Sequence, residues 1–387
     1  MKLHNTGADS LAVRFLQLLA ICLVCLLVLE VFARLYVSYF WTETKKSYFM
    51  DSGEVRGRLA SHTYLPYIPA PSYKTDTNRH NSLGFRGEEI APEKPTGITR
   101  IVAIGGSTTY GSHVNDYTQS YPAQLGALLN ADTRGFEVVN AGVPGWVSTE
   151  NLINLQTRVL PLDPDIVILF QGRNELFAQA FNNFKPDYSH LRTSNYSFLH
   201  TNVSLKRVFK VSRLALLVVS IRPSSFGWKR YEEHPGYGQN RYENRPNLKE
   251  LIINLDNPAN NETYRANTAS MIAMAQTQGA RVVLATMAFQ PEKFVSGLLR
   301  VQVIAPTPEE RAAFNEALAS QVEENNQIVR ELGNTFGVLV VELAALNSRP
   351  ELFLNDVHFD AEGNEERARL LLEALKTQEF WGEVSSR

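Results

Sequence analysis

The feature that most restricts this chain begins at Arg100, where short, largely apolar runs alternate with stretches of helical spacing. The runs 101–104 and 166–170 have the continuity of strands buried on both faces, and 136–139, 280–285 and 338–341 read as further strands. Between or after them, 119–130, 149–160, 308–332 and 361–375 read as helices. Strands separated by helices require right-handed crossovers, so the expected class is α/β, with a parallel sheet covered on both faces.

Composition removes several chemistries. A net charge of −2 lacks the basic footprint of a nucleic-acid partner. The only cysteines, Cys22 and Cys25, lie in the apolar N-terminal stretch, so the rest of the chain has no disulfide, thiolate metal site or cysteine nucleophile.

The first forty residues follow a different rule. Residues 15–29 carry no charge, Gln17 is their only strongly polar side chain, and apolar residues resume beyond Glu30. A spanning helix needs about 20 mainly apolar residues, a length reached here by including Glu30 or Arg34 near the end. Arg34 can snorkel outward, and Tyr36, Tyr39 and Trp41 suit a membrane interface. A cleavable signal peptide is the competing reading. Ala33, however, is flanked by Phe32 and Arg34, which gives no small-x-small cleavage site. An uncleaved single-pass membrane anchor over 1–41 is expected. Lys2 and Arg14 before the span and Arg34, Lys45 and Lys46 after it leave the charge rule undecided. The large domain that follows a short tail points to an extracytoplasmic location.

Residues 42–99 form a proline-spotted approach of extended segments and turns, and 100–387 form the main domain. Within the approach, Asn81 to Gly87 frames Phe85 and Arg86 between glycines and reads as a tight turn plugging the domain from below. The alternation breaks in an insertion at about 178–260. There, 205–221 has helical spacing with Lys206, Lys210 and Arg213 on one face, suited to a membrane surface, a lid or plain packing on the core. Residues 227–245 read as a long loop.

Chemistry gathers at the ends of the runs, because ligand sites of parallel sheets lie at the carboxyl ends of their strands. The first run ends in Gly105-Gly106-Ser107, with a helix start to follow, which exposes a serine beside free backbone N–H groups. The second ends in Asn140-Ala141-Gly142 and the third in Gly172-Arg173-Asn174. The N–H groups of Ser107 and Gly142 and the Asn174 amide give three neutral donors for a developing oxyanion. A serine hydroxyl needs a base. His358, in Asn355-Asp356-Val357-His358 just before the last helix, is the histidine with an acidic neighbour and a matching terminal position.

These four blocks, in this order, resemble the SGNH (GDSL-like) hydrolase superfamily, named for its Ser, Gly, Asn and His, with Ser107, Gly142, Asn174 and His358 at the four positions. The approach and the anchor resemble a membrane-bound bacterial branch of it. The resemblance implies a flavodoxin-like three-layer α/β/α sandwich and ester chemistry by acyl transfer through Ser107, without a metal or organic cofactor. Two positions depart from the pattern. Gly106 replaces the usual Asp before the nucleophile, and Asn355 stands three residues before the histidine, where the triad acid belongs. Asp356 is the nearest carboxylate and the expected third member; Asn355 or a backbone carbonyl is the substitute.

The expected function is a serine esterase that deacylates, in particular deacetylates, an envelope glycan or lipid-linked carbohydrate. An O-acyltransferase passing the same acyl group to a sugar hydroxyl is the neighbouring reading. A non-catalytic glycan-binding or assembly module is the reading from another class. The expected partners are an acylated carbohydrate or lipid substrate and the membrane, with no nucleic acid.

Overall fold

The computed structural model describes residues 6–41, 58–60, 62–131, 135–191, 208–209, 211–220, 246–294, 299 and 301–376. Much of the approach, the 227–245 loop and the basic residues Lys206 and Lys210 lie outside the described residues.

Five parallel strands form the central sheet: β1 Thr99–Gly105, β2 Phe136–Asn140, β3 Ile166–Phe170, β4 Arg281–Ala285 and β5 Leu339–Val341. Their spatial order is β2-β1-β3-β4-β5, the flavodoxin-like order, with the chain reversing direction across the sheet at β1. Alternate residues of β1 feed opposite cores, as the two-residue period of a strand requires. Ile101 and Ala103 pack with α3 (Tyr121–Leu129) and the terminal α10 (Ala361–Leu375). Val102 and Ile104 pack against α4 (Ser148–Asn154) with the turn that continues it, and against α8 (Glu262–Thr277). The long helix α9 (Pro308–Phe336) serves both, Phe314 to Val322 on one side and Ile328 to Leu332 on the other. The result is a three-layer α/β/α sandwich preceded by one apolar helix, α1 (Thr6–Phe40).

Two differences from the sequence reading have local causes. The helix expected over 149–160 is α-helical only over Ser148–Asn154; a π turn at Leu155–Val159 and a 3₁₀ turn at Leu160–Leu162 bring it to an end around Pro161. The insertion also contains a helix the apolar spacing did not single out, α7 (Leu248–Leu255), started by a capping box between Asn247 and Glu250.

The turn at Asn81–Gly87 does more than fill space. Phe85 is buried in the core beneath β1. Arg86, also buried, donates to the carbonyls of Tyr110, Gly111 and Val114 at 2.6, 2.8 and 3.0 Å and so fastens the loop that follows the first strand's helix.

Candidate active site

Strand β1 delivers the chain to Ser107 through two glycines, and α2 (Ser107–Tyr110) starts there. The first N–H groups of a helix have no intrahelical acceptor, so this end of α2 points donors at the Ser107 side chain's surroundings. A Cβ on Gly106 would lie 2.8 Å from Asn174 Nδ2, so a larger residue there would require the Asn174 amide to shift.

Asn174 sits at the start of α5 (Glu175–Ala180), beyond β3. Its loop is pinned from three helices. Tyr264 of α8 donates to Gln171 O at 3.1 Å, Asn325 of α9 to Gly172 O at 3.2 Å, and Asn151 of α4 to Gln171 Oε1 at 2.8 Å. Asn174 Nδ2 donates to Trp146 O at 2.7 Å, which uses one amide hydrogen and leaves the other for a ligand.

His358 lies on a tight loop closed by pairing of Phe353 with Phe359 and by Leu354 N donating to His358 O at 2.8 Å. Buried Arg367 of α10 stacks 3.6 Å from the Phe359 ring and donates to Val357 O at 2.8 Å, fixing the loop on the last helix. His358 Nε2 reaches Ser107 Oγ at 2.8 Å across 251 residues of sequence. Its other nitrogen, Nδ1, lies 2.9 Å from Asn355 Oδ1.

The orientation of Asn355 follows from its neighbours. Oδ1 also accepts from the backbone N–H groups of Val357 and His358 at 3.1 and 2.9 Å, so the oxygen, not the nitrogen, faces the ring. The proton therefore sits on His358 Nδ1, and Nε2 is free to accept from Ser107. Asn355 Nδ2 is 3.4 Å from His113 Nε2, and the His113 ring packs 4.4 Å from that of His358, centroid to centroid. His113 holds a positive φ of 76° in the very loop that Arg86 fastens.

Asp356 does not take the place expected for it. The turn that brings Asn355 Oδ1 to the His358 ring sends the next side chain to the opposite side. There the Asp356 carboxylate accepts from Arg173 Nε and Nη2 at 2.9 and 2.8 Å. The member beside the base is the neutral Asn355, and Asp356 balances the charge of Arg173. Gly142 differs in a similar way. Its N–H donates to Asn140 Oδ1 at 3.1 Å, so this expected donor is already engaged. The residue must nevertheless be glycine, because a Cβ would stand 2.3 Å from Tyr110 N, against the back of α2.

Electrostatics keep the base neutral. Burial pushes His358 well below the ordinary histidine value of 6.5, and His113, Arg173 and Arg367 push it the same way. His113 is lowered as well, first by burial, with Asp356 opposing and Arg58 adding to the shift. Among the described residues no group of three His, Cys, Asp or Glu side chains is placed to hold a metal ion. Beside Ser107 is a cavity of about 10 Å³, lined by Trp146, Gln171, Asn174 and Met287 among others.

Sequence reasoning missed His113, Arg173 and Arg86. Arg173 lies in the third block and Arg86 in the glycine-framed turn, but neither was given a part in the site, and only the folded chain shows what they and His113 touch there.

A flavodoxin-like sheet carrying a histidine-paired serine at its strand ends is an arrangement that a serine hydrolase of the α/β class can use. Residues 103–228 match the GDSL-like Lipase/Acylhydrolase family, and this match supports an ester hydrolase. The match contains Ser107, Gly142 and Asn174 and stops inside the insertion, before His358. A comparison with curated proteins finds no match. Among solved structures, the chain is similar to a lipase/acylhydrolase from Enterococcus faecalis (16% identity, 72% of this chain and 96% of that one, TM-score 0.41). It is also similar to a GDSL-like lipase from Bacteroides thetaiotaomicron (14%, 72% and 88%, TM-score 0.38). An acetylxylan esterase from Geobacillus stearothermophilus is a third (15%, 73% and 97%, TM-score 0.40). Likeness at this level carries nothing about substrate.

Proposed function

We propose that this protein is a membrane-anchored serine esterase that removes small acyl groups, acetyl in particular, from a carbohydrate or lipid-linked carbohydrate of the cell envelope, on the extracytoplasmic side. The observation that carries the reading is the 2.8 Å contact of Ser107 Oγ with His358 Nε2, with Asn355 Oδ1 behind the ring. Ser107 Oγ attacks the ester carbonyl carbon while its proton passes to His358 Nε2. The carbonyl oxygen becomes an oxyanion that takes hydrogen bonds from the N–H of Ser107 and from Asn174 Nδ2. Collapse expels the alkoxide, which leaves as the alcohol with the proton from His358. Water, deprotonated by the same nitrogen, then releases the acid from Ser107.

The size of the cavity beside Ser107 supports acetyl. About 10 Å³ holds roughly one water-sized group, which suits a small acyl group such as acetyl. The anchor supports an envelope substrate, since α1 contains an apolar span, Val13–Phe40, whose most apolar window has a mean hydropathy of 2.7. The test compares p-nitrophenyl acetate, butyrate and octanoate, followed by acetylated glycan. A steep fall in kcat/KM from acetate to octanoate agrees with the proposal; a rate that rises with chain length contradicts it.

A further inference from the structure

The helix that begins as an anchor ends as part of a joint. At 35 residues α1 is about 50 Å long, well beyond the ~30 Å of a hydrocarbon core. The most apolar part of its span has no buried side chain, whereas Ala33, Val37 and Trp41 near its end are buried. These three share a helix face with Glu30.

Glu30 is engaged by the insertion. Its carboxylate accepts from Ser212 Oγ at 2.8 Å, from Arg213 N at 2.8 Å and from Leu214 N at 3.0 Å. It thereby caps the start of α6 (Arg213–Ser220), where free N–H groups and the helix dipole favour a negative charge. One turn later Arg34 pairs with Glu30 at 2.9 Å and donates to Val211 O at 2.6 Å. Two charges that are costly near lipid are thus both satisfied by one segment of the insertion.

That segment has an unusual surface. From Leu214 to Val219 α6 carries six consecutive apolar residues. Leu216 is buried, while Val211 and Val218 are 74% and 61% exposed, and Val208 nearby is exposed as well. The described part of the amphipathic helix expected from the sequence keeps Arg213 and Ser220 on one face and is apolar between them. Its exposed valines flank the segment that Glu30 and Arg34 of α1 hold. Glu30 lies about 25 Å along the helix from Val13, near the far edge of a hydrocarbon core that starts there.

We propose that α6 is a second membrane-contacting element, seated on α1 at the edge of the bilayer with its outer valines against lipid acyl chains. The proposal rests on α1 being a membrane span and deepens the reading above. Two packed helices, rather than one tether, hold the active site close to the bilayer and favour substrates presented at its surface. The grip also argues for an anchor that is retained, since removing α1 would take away the cap of α6.

The experiment uses the full chain in phosphatidylcholine vesicles. With Cys22 and Cys25 changed to Ser, Val218→Cys carries a nitroxide label; a second sample with Cys22→Ser alone is labelled at native Cys25. Power saturation compares access to oxygen, which concentrates in lipid, with access to a nickel chelate, which stays in water. The proposal expects oxygen to dominate at both positions, and Glu30→Gln to shift position 218 toward nickel while position 25 stays unchanged. Nickel dominating at 218 with oxygen dominating at 25 overturns the proposal and leaves the span standing. Nickel dominating at both overturns the span and the proposal with it. A Glu30→Gln variant that leaves the 218 signal unmoved overturns the joint.

Discussion

Replacing Asn355 with aspartate adds one negative charge at the point where the base is least supported. Asn355 Oδ1 lies 2.9 Å from His358 Nδ1 and accepts two backbone N–H groups besides. A carboxylate oxygen can accept all three, so Asn355→Asp keeps both the turn and the ring orientation. Unit charges about 4 Å apart at an effective dielectric of 20 attract by ~4 kcal/mol. Desolvation of the new carboxylate takes a share, and Arg173 and Arg367 remain beside the ring. A net rise of about one to two pK units, roughly 1.4 to 3 kcal/mol, is the expected remainder. His358 becomes imidazolium in the transition state, so the same free energy predicts a kcat gain of about 10- to 100-fold. In serine proteases the opposite change costs about 10⁴, because the amide imposes the wrong tautomer. Here the backbone N–H groups of Val357 and His358 hold the amide with its oxygen toward the ring, which removes that part of the penalty. The assay is kcat/KM for p-nitrophenyl acetate against pH, in the parent and in Asn355→Asp. A higher plateau, with the acid limb moved upward, is expected. An unmoved limb with equal or lower rates, in a variant of unchanged melting temperature, would refute the electrostatic argument.

Four further outcomes follow from the same geometry. Asp356→Ala should cost about 3–5 kcal/mol of stability, because it leaves the Arg173 cation without its buried partner; chemical denaturation measures this. Asn174→Ala should lower kcat by roughly 10²–10³ with little change in KM, since Gly142 N–H is engaged elsewhere and the oxyanion depends on fewer donors. Activity should stay level as pH falls through 6.5, because the folded His358 ring titrates well below that value; a kcat/KM profile with its acid limb at 6.5 would contradict this. Glu175 is pushed up to about 7 by burial, so the folded state holds a proton that the unfolded state releases near 4.5. Stability should therefore decline as pH rises between those values, and Glu175→Gln should recover up to roughly 3 kcal/mol at pH 8 and nothing at pH 4.5, read as melting temperature.

The sheet was legible because strands buried on both faces are largely apolar runs, and each of the five ends close to where its run ends. Helix α8 was not, because its buried stripe is Tyr264, Thr268, Met271, Ile272 and Ala275, a mixture too polar to stand out by apolar spacing. Its neighbour α7 had a signal that was overlooked, the Asn247 and Glu250 capping box. At the site, strand-end position singled out Ser107 and Asn174, and an acidic neighbour just before the last helix singled out His358; the fold brings Ser107 to both. It did not separate Asn355 from Asp356, because the deciding event is a side-chain turn. Asn355 Oδ1 folds back onto two N–H groups of its own loop, and the adjacent carboxylate finds Arg173 from another strand end. The supporting residues Arg86 and His113 act through contacts made only once the approach segment packs behind α2.

The central claim is that Ser107 is an activated nucleophile. It is tested most directly by a fluorophosphonate probe on the purified full chain, with Ser107→Ala and His358→Ala as controls and intact mass spectrometry as the readout. The account predicts a single adduct on Ser107, absent in the first variant and greatly slowed in the second. A folded protein that takes no label, or a Ser107→Ala variant that labels as fast as the parent, would contradict it.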